Sequence, residues 1–192
     1  MAQPAVVVGA QVERPSMVRV GTIVWLASEL MFFAGLFAAY FTIRASVDPW
    51  PPEGVELETL QAGLFTVLLV ASSGTMQLAH RAAERRRLRP TRGWLAATLA
   101  LGTVFMAGQA IEYAANDFTI GSHAYGSIYY LMTGLHGLHV IGGLAAMLML
   151  LLRTSVDRTL RDQEPGVAVV SYYWHFVDVV WLGLFATLYL VR

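Results

Sequence analysis

The stretch "SYYWHFVDVVWLGLFATLYLV", residues 171–191, is long and apolar enough to cross a membrane, yet it holds His175 and Asp178 three residues apart in its middle. Roughly 20 apolar helical residues cover a hydrocarbon core of ~30 Å. A charged side chain at that depth costs about 3 kcal/mol unless it faces protein. The stretch therefore reads as one helix of a membrane bundle with polar groups turned toward the bundle interior.

The remainder of the chain supports a bundle. Of 192 residues, 56% are apolar and 14% charged, and the mean hydropathy is +0.55, outside the range of ordinary soluble domains. The apolar residues fall in five blocks, about 19–44, 60–80, 93–115, 126–152 and 167–191, separated by short charged or Pro-rich stretches. The expectation is an all-α integral membrane bundle of five transmembrane helices, one domain over 19–192, preceded by a short segment, 1–18. That segment lacks the charged, apolar and small-residue order of a signal peptide, and the block after it is too long for a signal h-region.

Charge gives an orientation. All 13 basic residues are arginine. Arg14 and Arg19 precede the first block, Arg81, Arg85, Arg86, Arg87, Arg89 and Arg92 lie between the second and third, and Arg153, Arg158 and Arg161 lie between the fourth and fifth. Only Arg44 and Arg192 fall at the other ends, and the loop "DPWPPEGVELE" (48–58) is acidic. The positive-inside rule then expects a cytoplasmic N-terminus and an external C-terminus. The arginine run is the signature of that asymmetry, and no nucleic-acid partner is expected.

Other chemistries are excluded by what is missing. The chain has no cysteine, which removes disulfides, thiolate metal sites and cysteine nucleophiles. It has no Gly-rich phosphate loop with its lysine and no nucleophile-elbow serine. The eight methionines show no paired spacing on an exposed loop and read as core filler.

What is left is the buried polar set. Glu29 lies in "WLASELMFFAGLF", His136 and His139 in "TGLHGLHVIGG", His175 and Asp178 in "YWHFVDVVW", and Gln109 and Glu112 in "GQAIEY" near the end of the third block. Spacings of three put His136 with His139, and His175 with Asp178, on common helix faces. Counting about 1.5 Å per residue from the helix ends brings Glu29, the two histidines of the fourth helix and the His175/Asp178 pair to similar depths. The expectation is one hydrogen-bonded cluster joining the first, fourth and fifth helices. Trp174 and Trp181 share a face with Asp178 and are expected to pack around it.

Three roles compete for such a cluster. Three histidines and two carboxylates resemble a carboxylate-bridged iron inventory, but bundle di-iron sites use about four carboxylates and paired Glu-x-x-His spacings, which are absent here. A proton relay uses the same residue types, but the chain has neither broken helices nor a repeated half. A structural network that locks helix packing ranks first, because "SSGT" (72–75), "GLHGLHVIGG" (134–143) and "FAGLFAAY" (33–40) supply small residues for close approach.

In their order along the chain, "WLASELMFFAGLFAAYF" (25–41), "GQAIEY" (108–113), "TGLHGLHVIGG" (133–143) and "YYWHFVDVVWLGLF" (172–185) closely resemble subunit III of the haem-copper cytochrome c oxidases. The resemblance implies a subunit without haem or copper of its own, beside oxidase subunits I and II, which carry those cofactors and meet cytochrome c. It implies a multi-pass protein of the bacterial cytoplasmic membrane that sustains proton uptake, protects the enzyme during turnover and binds structural phospholipid among the membrane lipids. By the matching motifs, Glu29 takes the place of the family's intramembrane carboxylate, and His136, His139, His175 and Asp178 match its histidines and aspartate. Long members have seven helices, and this chain resembles the short five-helix form. Subunit III of quinol oxidases and an accessory protein of nitric oxide reductases share the motifs. A stand-alone membrane metalloenzyme or proton-coupled transporter is the opposing class.

Overall fold

Prolines punctuate the chain. Pro49, Pro51 and Pro52 fall in the first connection, Pro90 and Pro165 in the first turns of helices, and none lies deeper in a helix among the described residues. In a first turn the missing N–H has no intrahelical acceptor to lose, so proline starts a helix where it would break an interior. The computed structural model describes residues 17–55, 57–156 and 164–191. Within them the chain forms α1 (Met17–Ser46), α2 (Thr59–Glu84), α3 (Leu88–Ala115), α4 (Ala124–Val156) and α5 (Glu164–Phe185), the last continuing as a π-helical turn over Ala186–Leu190. All five helices are long and apolar enough to span a membrane, and no strand occurs among the described residues. The expected segment 1–18 lies almost wholly outside the described residues, as do Arg158 and Arg161; Met17 and Val18 open α1.

The helices overrun the apolar blocks. Helix α3 begins at Leu88 instead of about 93, and α4 reaches Val156 instead of about 152. Arginines at those ends carry long apolar stems and hold their charge at the headgroup level, so helix continues past the last apolar residue.

Helix α5 is the axis of the bundle: it packs on α2, α4 and α1, while α3 bridges α2 and α4. In its most apolar window 56% of residues are buried, against 11% for α1, which lies at the periphery. Trp174 and Trp181 are the largest fully buried side chains. A Cβ on Gly102 or Gly143 would stand 2.8 Å from the Trp174 indole, so α3 and α4 approach α5 only because both positions are glycine. The connection after α1 folds over one end, where the Trp50 indole N–H donates to Tyr40 Oη at 3.1 Å. At the opposite end Arg19 meets Glu164 at 3.0 Å and Arg92 donates to Ser155, so the starts of α1, α3 and α5 and the end of α4 lie together.

Candidate functional site: two polar seams across the bundle

Glu29 and His139 form the first seam, between α1 and α4. Glu29 Oε2 stands 3.2 Å from His139 Nε2, with side chains 24% and 18% exposed. The other ring nitrogen, Nδ1, lies 2.8 Å from the Leu135 carbonyl one turn earlier. A carbonyl only accepts, so Nδ1 carries a proton, and the Nε2–carboxylate contact then holds one more, on either atom. The Tyr173 hydroxyl donates to the His139 carbonyl, and Trp25 stacks on Tyr173 with centroids 5.4 Å apart. This links α5 to the same seam. Phe33 packs edge-on to the His139 ring.

His175 and Asp178 form the second seam, and their partners come from α2. Ser73 Oγ lies 2.9 Å from His175 Nδ1 and donates to Asp178 Oδ2. With the hydroxyl proton on the carboxylate, His175 Nδ1 donates to Ser73. The Gln77 side-chain oxygen lies 3.3 Å from the other ring nitrogen, Nε2, as an acceptor. This order is not that of a hydrolase, because serine sits between histidine and aspartate and the histidine does not bridge the other two. The two tryptophans brace the seam: Trp174 donates to Ser72 Oγ and Trp181 to Thr66 Oγ1, both on α2. Ser72 adjoins Ser73, the residue that holds Asp178.

His136 and His139 diverge. A spacing of three leaves side chains about 60° apart around a helix, enough to aim His139 at α1 and His136 into the core. There the His136 ring lies 5.0 Å from Trp181 and edge-on to Phe105, and neither ring nitrogen has a hydrogen-bond partner among the described residues. Gln109 is also buried, its amide nitrogen unpartnered. Glu112, one turn on, accepts from the Tyr189 hydroxyl at 2.6 Å and from Tyr129 at 3.1 Å. The π-helical turn carries Tyr189 inward to reach it.

The single cluster expected from depth is thus divided. Glu29 pairs with His139, His175 and Asp178 pair with α2, and His136 joins neither. Among the described residues no three His, Asp or Glu side chains converge as a metal would need. Sequence reasoning missed Ser73 and Gln77, which lie four apart on one face of α2, with His80 three further on. That polar spacing was the available signal, read there only as small residues for packing.

Comparison with known proteins covers nearly the whole chain. Residues 9–191 match the family model described as cytochrome c oxidase subunit III. A Nocardia farcinica protein named probable cytochrome c oxidase subunit 3 is 54% identical, across 93% of this chain and 90% of its own length. A Mycobacterium tuberculosis protein of the same name is 51% identical over the same shares. A Corynebacterium diphtheriae cytochrome c oxidase subunit 3 is 46% identical over 95% of this chain and 92% of its own. The four motifs lie inside these matches, and the chain belongs to the cytochrome c oxidase subunit III family.

Proposed function

We propose that the chain is the accessory subunit III of a proton-translocating cytochrome c oxidase in a bacterial cytoplasmic membrane. It supports the stability of the catalytic subunit and proton uptake during reduction of oxygen to water. Haem and copper reside in partner subunits I and II, which also meet cytochrome c, and this chain contributes no redox centre. The arginine-rich end, with the N-terminus, faces the cytoplasm, following the positive-inside rule.

The observation that carries this reading is the fate of the intramembrane ionisable groups. Glu29 is held by His139 and Asp178 by Ser73, so each stabilises a helix contact instead of converging on a substrate or metal. Relatives named for cytochrome c oxidase favour that donor over quinol.

The test is purification of the tagged chain from its own membranes in mild detergent, with a reduced-minus-oxidised spectrum and metal analysis. Haem a and copper arriving with two larger subunits, and lost when those are stripped away, are expected. Iron retained by the isolated chain overturns the reading.

A further inference from the structure

The turn between α2 and α3 holds a pocket of about 220 Å³ with Arg81, Arg85 and Arg87 on its walls and Leu78, Pro90 and Trp94 beside them. We propose that this pocket binds the phosphate of an anionic phospholipid, with an acyl chain running along Leu78 and Trp94. The inference does not depend on the oxidase reading.

Three features point to such a ligand. First, the cations are unused: among the described residues none of the three arginines has an ion pair, and nearby Glu84 is turned to His80 at 3.7 Å. Three guanidinium groups around one concavity repel one another until an anion enters, and their forked N–H donors match phosphate oxygens. Second, the order of the lining matches a lipid. Leu78 and Trp94, each 39% exposed, lie one turn or more inside their helix ends, on the membrane side of the arginines. Tryptophan settles at the boundary between acyl chains and headgroups, and basic residues just beyond that boundary attract anionic lipids. Third, the turn keeps arginine where glycine is easier. Arg86 has φ 53°, with its N–H bonded to the Ala83 carbonyl and that of Arg87 to the Ala82 carbonyl. That closes α2 in the motif whose left-handed position glycine usually fills. The closure swings Arg87 back beside Arg81 and Arg85.

Trp94 is the reporter. The full chain, with its co-purifying subunits, is placed in phosphatidylcholine vesicles containing a minor fraction of brominated phosphatidylglycerol, and quenching of Trp94 is isolated by subtracting a Trp94→Phe variant. A matched sample carries the bromine on phosphatidylcholine. Quenching by the anionic lipid is expected to exceed its bulk share severalfold and to fall to bulk in Arg81→Gln/Arg85→Gln/Arg87→Gln. Each basic residue near an anionic surface is worth about fivefold, so the triple change lowers affinity on the order of a hundredfold. The charge-matched Arg86→Gln/Arg89→Gln/Arg92→Gln variant, outside the pocket, is expected to keep the enrichment. The proposal fails if the two lipids quench alike, if the pocket variant keeps its quenching while retaining wild-type helical circular dichroism, or if the control loses as much, which would mean diffuse surface charge. Millimolar inorganic phosphate is expected to leave quenching unchanged; its abolition would make the pocket a site for free anions.

Discussion

The Glu29 carboxylate and the His139 imidazole meet at 3.2 Å although 110 residues separate them in the chain. Their contact ties α1 to α4. Replacing Glu29 by glutamine keeps an oxygen and an N–H at the same place, so either proton position on His139 is still matched. Glu29→Gln is expected to assemble with normal subunit content, whereas Glu29→Leu leaves Nε2 without a partner and costs about 1 kcal/mol of helix association. Subunit content of the purified complexes checks both; loss of the subunit in Glu29→Gln would show that the negative charge itself is needed.

Asp178 is held more deeply. Leucine there leaves Ser73 without its acceptor and removes the group that orients His175 through that serine. Stranding a buried polar group costs about 1–3 kcal/mol, and here α2 and α5 lose their shared anchor. Asp178→Leu is expected to deplete the subunit from the complex, while Asp178→Asn retains it. Normal content in the leucine variant would sink the structural role of this seam.

Gly143→Ala and Gly102→Ala each put a methyl group 2.8 Å from the Trp174 ring. Overfilling a packed core costs typically about 1–3 kcal/mol, and Trp174 cannot retreat without breaking its bond to Ser72. Both variants are expected to unfold at lower temperature in detergent. Gly21→Ala, with nothing within 4 Å of the added atom, is the control and is expected to match the parent. A Gly143→Ala protein as stable as the parent would mean that α4 and α5 have slack not visible in the packing.

Tyr189 and Glu112 are coupled through the π-helical turn. Tyr189→Phe removes the 2.6 Å donor to Glu112 and leaves Tyr129 as the remaining one. A loss of about 1–3 kcal/mol is expected for a buried bond to a carboxyl group. In a double-mutant cycle with Glu112→Leu, which removes the acceptor, the two changes are expected to be non-additive; simple additivity of the unfolding free energies would show that the contact carries no energy.

The five spans were legible because they are written locally, in apolar blocks broken by arginine and proline. Their ends were not, since Leu88 and Val156 lie among residues whose charge hides the helix. Depth along a helix is also local, which is why Glu29, His139, His175 and Asp178 stood out as polar groups within the spans; Asp178 is buried and the other three are partly exposed. Direction around the helix depends on neighbours. Glu29 was grouped with His175, but α5 turns that histidine toward α2, where Ser73 and Gln77 wait on a face that looked like plain packing surface. Trp174 is legible in part: its spacing puts it on the Asp178 face of α5, while its partner Ser72 on α2 depends on packing between helices.

The peripheral position of α1 bears on how the protein is made. Its long-range side-chain bonds reach His139, Glu164 and the Thr187 carbonyl, 110, 145 and 147 residues downstream. At roughly 5–20 residues per second, the ribosome needs on the order of ten seconds to deliver the partner of Glu29. Through that interval the first span stands in the lipid with an unsatisfied acid, and its docking waits for the fourth and fifth to arrive. Within this chain, α1 is therefore made well before α4 and α5, the helices it packs on.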